Sequence, residues 1–476
     1  MSEALGGPFQ NVELDRRLSA QNAVVVEVVV GLVFLAVLIA ALVLTFPKQV
    51  LPVLTMGGPL LYITSAIDRN MLMFRGIDSP ALVTVSDAEA LAVPDDQLPV
   101  YTVLLPVYHE PEIVRNLING VGKLNYPADK LEILLLTEED DDTTRAELEG
   151  VTLEHVRVIV VPDSQPKTKP KACNYGLSLP GLEGELLTIY DAEDVPDPLQ
   201  LRRAVVAFRR SPSEVGCLQA RLCYFNERQN LLTRWFALEY DQWFAAILPA
   251  VEEAGCVVPL GGTSFHLPVR IWREIGGWDA YNVTEDADLG VRLARYGYRT
   301  LILDSITLEE ANSDWINWIR QRSRWYKGYL QTTLVHLRSP GQLRREIGLK
   351  ATLRLINLTG LVPITNAVNF LLWSTLAVWV VAHPGVVSLM FPPFTYYACL
   401  ILLMVAVPLS VLASLVTTVA LGKPYLWWAA LLSPAYWILQ SFGALKALHQ
   451  LIFRPSYWEL TVHGLADVHT EAGDAA

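Results

Sequence analysis

Two long apolar segments near the N-terminus constrain the fold of this chain more than any other feature of its sequence. Residues 23–46 are apolar except at Glu27 and Gly31, and a second apolar segment follows at residues 50–67. A helix needs about 20 apolar residues to cross the hydrocarbon core of a bilayer. The first segment is too long for a signal-peptide core and is not followed by a small-residue cleavage site. Residues 23–67 therefore predict two retained transmembrane helices.

The second segment also allows another interpretation, because Pro52, Gly57, Gly58 and Pro59 interrupt it. A buried hairpin helix would accommodate these residues as well as a membrane span would. The mean hydropathy of the whole chain, +0.31, is high for a soluble protein and favours the span.

Basic residues on either side of these segments predict their orientation. Arg16 and Arg17 precede the first segment and Arg69 and Arg75 follow the second, whereas Lys48 stands alone between them. Since basic residues accumulate on the cytoplasmic side of a membrane, we expect residues 1–22 and the chain after Arg69 to be cytoplasmic. This pattern predicts a multi-pass protein of the cytoplasmic (inner) membrane.

The chain becomes apolar again over residues 353–448, where candidate spans cover residues 355–382, 396–421 and 425–448. Three or four crossings are compatible with this pattern. The first candidate contains polar and aromatic residues that could line a path through the membrane or simply pack between helices. These residues are Asn357, Asn366, Asn369, Trp373 and Trp379. Residues 449–476 are predicted to form a tail on the membrane surface.

Between these apolar regions, residues 99–342 have the pattern of a parallel α/β domain. Short apolar runs such as "VYTVLLPVY", "KLEILLL", "HVRVIVVP" and "GELLTIYD" alternate with amphipathic segments. Strands that alternate with helices predict a parallel sheet covered on both faces. Ligands bind such sheets beyond the carboxyl ends of the strands.

An acid cluster lies at one predicted strand end, in "YDAEDVPDP". Asp191, Glu193 and Asp194 would repel one another there and are costly to remove from water. Carboxylates are the ligands that Mg²⁺ and Mn²⁺ prefer, often together with a phosphorylated substrate. A solvated loop capped by Asp191 explains the pattern equally well, so the motif alone does not establish a metal site.

A second acidic segment, "YNVTEDADLG", opens an amphipathic run. Thr284 suits an N-cap and the acids after it suit a first helical turn, which is a sufficient structural explanation. The functional interpretation makes Asp286 a general base that accepts a proton from a hydroxyl group.

Aromatic and basic residues are interleaved in "DWINWIRQRSRWYKGYLQ". This composition predicts an interfacial helix over residues 313–333, with an aromatic belt and cations facing anionic headgroups. The same helix could place Trp325 against a sugar or base and Arg324 against a diphosphate.

Taken in order, "LLPVYHE", an acid cluster after the second strand, "YDAED", "TED" and QxxRW resemble a family 2 glycosyltransferase of the membrane-embedded kind. Cellulose, chitin and hyaluronan synthases belong to that group. The resemblance covers roughly residues 99–330 and implies a GT-A α/β domain inserted between N- and C-terminal transmembrane helices. It also implies a nucleotide-sugar donor, here a UDP-sugar, an inverting transfer, and Mg²⁺ or Mn²⁺ as cofactor.

The resemblance also assigns roles to individual residues. In the catalytic TED segment, Asp286 matches the base, and Glu285 stands beside it. Asp191 matches the first acid of the metal-binding motif, which Glu193 or Asp194 completes. Gly262 and Thr263 match the loop that receives the acceptor, together with Trp325. The residues matched to nucleotide-sugar binding are Pro106, Tyr108, Glu110, Glu138, Lys169, Asp191, Gln321, Arg324 and Trp325.

Three functions remain compatible with these motifs. The first is a processive synthase of a β-linked polysaccharide, whose partners would be the bilayer, a growing glycan and an accessory secretion protein. The second is transfer of a single sugar to a lipid acceptor. The third is a non-catalytic scaffold or receptor, which gives no reason to retain mutually repelling acids. The net charge of -12 argues against a nucleic-acid partner.

Overall fold

A computed structural model of the chain describes residues 14–22, 26–77, 79, 81–109, 111, 120–148, 156–455, 457 and 459. Within these residues, nine strands form one sheet. The strands are Leu82–Val83 (β1), Tyr101–Val107 (β2), Leu131–Glu138 (β3), Val156–Val161 (β4), Leu186–Ile189 (β5), Val195–Pro196 (β6), Val215–Tyr224 (β7), Phe265–Pro268 (β8) and Arg299–Glu309 (β9).

The sheet has the order β4-β3-β2-β5-β8-β7-β9-β1, and β6 pairs with β9. The strands β4, β3, β2 and β5 are mutually parallel, as are β7, β9 and β1. Only β8 and β6 run antiparallel to their neighbours. The four strands predicted from the sequence are therefore confirmed, and they form one half of a mixed sheet.

Alternate residues of the central strands enter separate cores on the two faces of the sheet. Leu104 and Leu134 belong to one buried cluster, whereas Leu105 and Leu135 belong to another. Strands that are buried on both faces read as continuous apolar runs, which is why "VYTVLLPVY" and "KLEILLL" lack a polar alternation.

Helices cover both faces of this sheet and complete the predicted α/β domain. These helices are Asp87–Leu91 (α3), Asp142–Leu148 (α4), Lys169–Leu177 (α5), Gln200–Arg210 (α6), Leu231–Gln242 (α7), Leu248–Glu253 (α8), Val269–Glu274 (α9), Glu285–Arg295 (α10) and Trp315–His336 (α11).

Apolar helices flank the domain on both sides along the chain. They are Val26–Thr45 (α1) and Pro47–Gly76 (α2) before it, and Pro340–Leu355 (α12), Val362–Ala382 (α13), Gly385–Met390 (α14), Pro393–Ile401 (α15), Val407–Ala420 (α16), Trp427–Leu431 (α17) and Ser433–Phe453 (α18) after it. Within the described residues, the helical stretches Pro47–Gly76, Pro340–Ala382 and Pro393–Ala420 are long and apolar enough to cross a membrane.

The last predicted crossing differs from the structure in its bounds. The chain turns at Leu432, so that residues 425–448 are divided between α17 and α18. Helix α18 carries Gln440 and Lys446 and is not among the candidate spans of the described residues. A continuous helix over residues 425–448 is thus not observed, and the number of crossings stays a prediction.

Helix α2 continues nine residues beyond the predicted end of its apolar segment at Ile67 and packs onto the α/β domain. Leu72 and Met73 are buried with Phe244 and Ile247. Polar residues in this extension find partners in neighbouring helices: Arg69 donates to Gln242 Oε1 at 3.1 Å. The last turns of α2 are therefore part of the α/β domain's own core.

The predicted interfacial helix is α11, which has 22 residues and begins and ends a few residues later than the predicted range 313–333. Asp314 caps its N-terminus by accepting a hydrogen bond from Asn317 N at 2.7 Å. The helix packs against α18, where the rings of Trp318 and Tyr436 lie 5.2 Å apart. Helix α11 therefore joins the α/β domain to the apolar helices.

Candidate active site

The predicted site residues converge on one cavity of about 590 Å³ beyond the carboxyl ends of β2, β3 and β5. Parallel strands end at the same edge of a sheet, so residues far apart in sequence meet there. The predicted residues that line the cavity are Pro106, Tyr108, Glu138, Lys169, Asp191, Glu193, Gly262, Thr263, Glu285, Asp286, Gln321, Arg324 and Trp325. Asp194 is not among the lining residues, and Glu110 lies outside the described residues.

An ion pair between Lys169 and Asp191 lies at the centre of this edge. Lys169 Nζ donates to Asp191 Oδ1 and, at 2.7 Å, to the carbonyl oxygen of Gly262. Burial alone would lower the pKa of Lys169, but the carboxylates of Asp191 and Glu285 outweigh burial and raise that pKa. The lysine is therefore a fixed cation between the acid loop and the loop that contains Gly262.

Asp194 stabilises the acid loop from the protein interior. Its Oδ2 accepts hydrogen bonds from Asp191 N at 2.8 Å and from the hydroxyl of Thr263, and only 1% of the residue is exposed. Burial, reinforced by Asp191 and Glu193, raises the pKa of Asp194 well above its usual value. Asp194 Oδ1 is buried and has no hydrogen-bond partner among the described residues.

The donor set at the loop fits a divalent cation that also binds phosphate. Asp191 and Glu193 face the cavity with oxygen donors, which is the ligand type that Mg²⁺ and Mn²⁺ prefer. Within the described ranges, no group of three or more His, Cys, Asp or Glu is arranged to hold a metal by itself. A cation here would need further ligands from a diphosphate or water, as is usual for Mg²⁺.

Glu138 ends β3 and is the first residue of the acid cluster that follows this strand. It is 5% exposed and accepts a hydrogen bond from Lys171 Nζ at 2.6 Å. Burial raises its pKa despite that lysine. Tyr108, which also lines the cavity, donates to Asp140 Oδ2 at 3.3 Å. This part of the cavity thus contains the aromatic ring of Tyr108 and the carboxylate of Glu138, which is already paired with Lys171. Contact of Tyr108 or Glu138 with a nucleotide stays a prediction.

Asp286 also lines this part of the cavity, from the first turn of α10. A methyl group placed on Gly262 would lie 3.5 Å from Asp286 Oδ2 and 3.9 Å from Lys169 Nζ, so these three residues surround one point. Burial raises the pKa of Asp286 to about 6, and it also raises that of Glu285, with a further contribution from Asp286. A half-buried carboxylate with a raised pKa is suited to accepting a proton near neutral pH.

Thr284 occupies the N-cap position of α10, but its side chain forms no capping hydrogen bond. It packs instead against Gly328 of α11, where an added methyl group would lie 2.5 Å from Thr284 Oγ1. Glycine at this position allows α10 and α11 to approach closely. The contact couples the TED segment directly to the QxxRW helix.

A buried ionic cluster joins α10 to the C-terminal end of α11. Asp288 accepts hydrogen bonds from Arg292 Nε at 2.7 Å and from His336 Nε2 at 2.9 Å, and all three side chains are fully buried. Burial would raise the pKa of Asp288, but Arg292 and His336 lower it overall. The acids of "TEDAD" therefore separate into cavity-facing Glu285 and Asp286 and a structural Asp288.

Gln321, Arg324 and Trp325 of α11 are half-buried and line the cavity, and the buried Arg322 lines it as well. Arg322 forms a bidentate ion pair with Glu239, at 2.9 and 2.5 Å. The Trp325 ring lies 6.1 Å from the ring of Tyr240 at an interplanar angle of 30°. Glu239 and Tyr240 also line the cavity, and their helix carries no motif that would have indicated a site.

Glu309 is a further cavity residue that the sequence analysis did not select. It ends β9, and burial together with Asp194, Glu193 and Asp191 raises its pKa well above the usual value. Its position at a strand end was the available signal, because "ITLEE" has the same pattern of apolar strand followed by acids as "LLTIYDAED".

The cavity continues from the sheet edge into the apolar helices. Its lining there includes Tyr62, Ser65 and Arg69 of α2, Asn357 and Asn366 before and within α13, Ser410 and Ser414 of α16, and Tyr436, Trp437 and Gln440 of α18. π-helical turns at Trp243–Ile247, Ile356–Leu361 and Leu402–Ala406 all contribute lining residues. Such turns are often found at functional sites.

Of the residues predicted to line a membrane path, only Asn357 and Asn366 border this cavity. Asn366 Nδ2 donates to the hydroxyl of Tyr326 at 2.9 Å. Asn369 instead donates to Ser441 Oγ at 3.4 Å between α13 and α18, and neither Trp373 nor Trp379 lines the cavity. For Asn369 the alternative of ordinary helix packing describes the contact.

Comparison with known families gives this geometry a context. A family model described as "Glycosyl transferase family group 2" matches residues 186–439, more than half of the chain. The chain belongs to this family. A second model, "Glycosyl transferase family 2", matches residues 102–254 of this group 2 glycosyltransferase. The predicted glycosyltransferase α/β domain between apolar helices is thereby confirmed.

Relatives of this group 2 glycosyltransferase are named for different reactions. Probable glucomannan 4-beta-mannosyltransferase 7 of Oryza sativa subsp. japonica is 28% identical over 249 residues, which cover 49% of this chain and 41% of that protein. Beta-monoglucosyldiacylglycerol synthase of Synechocystis sp. is 26% identical over 264 residues, covering 55% and 53%. The chain spans about half the length of these curated relatives.

A solved structure is also similar to this glycosyltransferase. Mannosyltransferase PcManGT from Pyrobaculum calidifontis, in complex with GDP-Man and Mn²⁺, aligns over 85% of this chain and 98% of its own. The two share 18% sequence identity, with a TM-score of 0.49.

Proposed function

We propose that this chain is a membrane-bound, inverting glycosyltransferase that uses a nucleotide sugar and a divalent cation. The observation that carries the proposal is the meeting of the Lys169–Asp191 pair, Asp286 and the QxxRW helix in one cavity. A charged cluster of this kind fits a diphosphate on one side and a hydroxyl acceptor on the other. The UDP-sugar implied by the motifs is the preferred donor.

The donor side of the cavity is assigned to the acid loop and to cations near it. Asp191 and Glu193 would hold Mg²⁺ or Mn²⁺, because both face the cavity, whereas the buried Asp194 holds the loop through Thr263. Bound there, the cation would stabilise negative charge on the diphosphate as a Lewis acid. Lys169 and Arg324 add positive charge to the same region, and Tyr108 offers a ring to the nucleotide base.

The acceptor side is assigned to Asp286. Its carboxylate takes the proton of an acceptor hydroxyl while that oxygen forms a bond to the anomeric carbon of the donor. The bond from that carbon to the diphosphate oxygen breaks, and the nucleoside diphosphate leaves with the electron pair. One base on the face opposite the leaving group inverts the anomeric centre, so a covalent enzyme intermediate is not required. Gly262, Thr263 and Trp325 surround the acceptor in this assignment.

The acceptor is proposed to be a growing β-linked polysaccharide. The cavity's continuation past Trp325 between α2, α13, α16 and α18 supports this function, since a product chain needs a polar path from the site. The rice relative is named as a mannosyltransferase of glucomannan. An accessory secretion protein would then receive the polymer on the far side of a cytoplasmic membrane.

Transfer of one sugar to a lipid is the second candidate. The same continuation of the cavity into apolar helices would admit a lipid acceptor from the bilayer. The relative from Synechocystis is named as a synthase of a glucosyl diacylglycerol. Product size separates the two candidates, because the first gives a polymer and the second a single added sugar.

The test is transfer by the full chain, purified in detergent, from radiolabelled UDP- and GDP-sugars with Mg²⁺ or Mn²⁺. Asp286→Asn and added EDTA serve as controls. A high-molecular-weight product that both controls abolish supports the polysaccharide synthase, and a short lipid-extractable product supports the lipid enzyme. Absence of product and of nucleotide release with every donor, in the presence of membrane lipids, would reject the transferase function.

A further inference from the structure

A short segment near the C-terminus lies along α11, away from its cavity face. The described residues of this segment, Pro455, Tyr457 and Glu459, are called the latch below. Lys327 Nζ donates to the carbonyl oxygen of Tyr457, and Gln331 Nε2 donates to that of Pro455 at 2.9 Å. Both donors belong to α11, so the latch binds the helix through its main chain.

Glu459 is the most highly connected residue of the latch. Its carboxylate accepts hydrogen bonds from Ser323 Oγ at 3.0 Å and from Gln450 Nε2 at 2.8 Å, and it forms an ion pair with Lys446. Only 7% of Glu459 is exposed. The residue thus ties α11 to α18 through one buried carboxylate.

Lys327 and Gln331 of α11 donate their hydrogen bonds to the latch, whereas Ser323 Oγ can also donate to the carbonyl oxygen of Arg320 at 2.8 Å. Ser323 and Lys327 are fully buried and Gln331 is 1% exposed. A buried ammonium group without an acceptor is strongly unfavourable. Burial lowers the pKa of Lys327 to about 8, which is consistent with an ammonium that has little access to water. Release of the latch would therefore expose the side chains of Lys327 and Gln331 to water or leave them buried without these acceptors.

Ser323, Lys327 and Gln331 follow one another at intervals of four residues and form one stripe on α11. At about 100° per residue, this stripe lies roughly 110° around the helix from Gln321, Arg324 and Trp325. A contact on the stripe therefore controls the rotation of the helix about its axis. Rotation in turn sets where the side chains of Arg324 and Trp325 enter the cavity.

We infer that the latch, through Glu459, is a positioning element that holds the QxxRW helix in the rotation needed for glycosyl transfer. The inference rests on the proposed function for its catalytic part. Glu459 does not line the cavity, so it acts on substrate only through α11. The latch thus adds to the other contacts that hold α11, among them the bidentate pair of Arg322 with Glu239 and the bond of His336 to Asp288.

The first comparison is between Glu459→Gln and Glu252→Gln in the full chain. Glu252 is a matched control, because it is 3% exposed, bonded by Arg299, and not among the residues that line the cavity. Hydrogen exchange of residues 315–336 reports the latch's hold on α11. We expect about tenfold faster exchange there for Glu459→Gln, the effect of losing a hydrogen bond to a charged group, and none for Glu252→Gln.

Transfer kinetics then separate positioning from stability. For Glu459→Gln, we expect kcat at saturating donor to fall about tenfold to a hundredfold, the range that a helix displaced by about 1 Å can cause. The melting temperature is expected to stay within the change that Glu252→Gln produces. A fall in kcat that merely follows a fall in folded protein would refute the positioning role.

Exchange of the charges of Glu459 and Lys446 provides a second, independent test. Glu459→Lys places like charges beside Lys446 and is expected to slow transfer further, whereas the double variant Glu459→Lys with Lys446→Glu restores the pair and most of kcat. Unchanged exchange in α11 for both Glu459 variants would overturn the inference, as would faster exchange with wild-type kcat and donor affinity. If the wild-type protein transfers no sugar, the proposed function fails, but the exchange of residues 315–336 still decides whether the latch holds the helix.

Discussion

Replacement of Gly328 by alanine tests whether catalysis depends on the close approach of α10 and α11. A methyl group at this position would lie 2.5 Å from Thr284 Oγ1, whereas ordinary van der Waals contact begins at 3.4 Å. The two helices must therefore separate by roughly 1 Å or rotate by an equivalent amount. Thr284 directly precedes Glu285 and Asp286, so the base moves with it.

The effects on stability and on activity should be very different in size. Overpacking costs about 1–3 kcal/mol, but alanine in a helix gains about 1 kcal/mol over glycine, so the net loss of stability is about 0–2 kcal/mol. Misplacement of a catalytic group by about 1 Å costs about a hundredfold in rate. We therefore expect Gly328→Ala to remain folded while kcat falls by about two orders of magnitude.

The assay measures kcat at saturating donor together with the melting temperature. Gly341→Ala is the matched control, because nothing lies within 4 Å of a methyl group there. The double variant Gly328→Ala with Thr284→Ala removes the threonine hydroxyl and methyl group that the new side chain contacts. Partial recovery of kcat is expected in this double variant.

A kcat for Gly328→Ala within twofold of the Gly341→Ala value would refute the reasoning. It would mean that the helices absorb the methyl group without moving Asp286. If Gly328→Ala instead loses folded protein, and the double variant does not recover it, then the contact affects stability alone.

Four further predictions follow from the site. Asp286→Asn should abolish transfer while leaving nucleotide binding within about twofold, measured by equilibrium dialysis. Because Asp286 must be ionised to act as a base and its pKa is raised to about 6, kcat/KM should fall as pH drops through about 6; an acid limb near 4 would contradict this. Lys169→Met should weaken donor binding at least tenfold, as expected when a half-buried cation is removed from a carboxylate and a diphosphate; unchanged affinity would remove Lys169 from the donor site. Asn366→Leu should slow polymer release with donor affinity intact, and an unchanged polymer yield would exclude that residue from the product path.

The strand ends and their acids could be predicted from sequence because two simple rules combine. A buried parallel strand is a continuous apolar run, and the carboxyl ends of such strands share one edge of the sheet. Asp191 and Glu138 therefore line the same cavity although 52 residues separate them in the sequence. The same rule applied to "ITLEE" would have found Glu309.

Contacts between residues that are distant in the sequence determine the features that could not be predicted. Asp194 and Asp191 look alike in "YDAED", but the hydroxyl of Thr263 and the main chain hold Asp194 in the interior. Arg322 is as basic as Arg324, yet Arg322 is buried in a bidentate pair with Glu239 of a distant helix, whereas Arg324 is half-buried. Helix α2 extends beyond its apolar segment, and Arg69 in this extension donates a hydrogen bond to Gln242 of the α/β domain. None of these partners is visible in a local pattern.

The way α2 ends has a practical consequence for anyone who would isolate the catalytic part. Leu72 and Met73 fill the interior beside Phe244 and Ile247, and Tyr62, Ser65 and Arg69 form one wall of the cavity. A shortened protein that began at residue 99 would lose that wall and open the interior to solvent. Inhibitor screens therefore need a protein that retains α2, because this helix supplies part of the cavity wall.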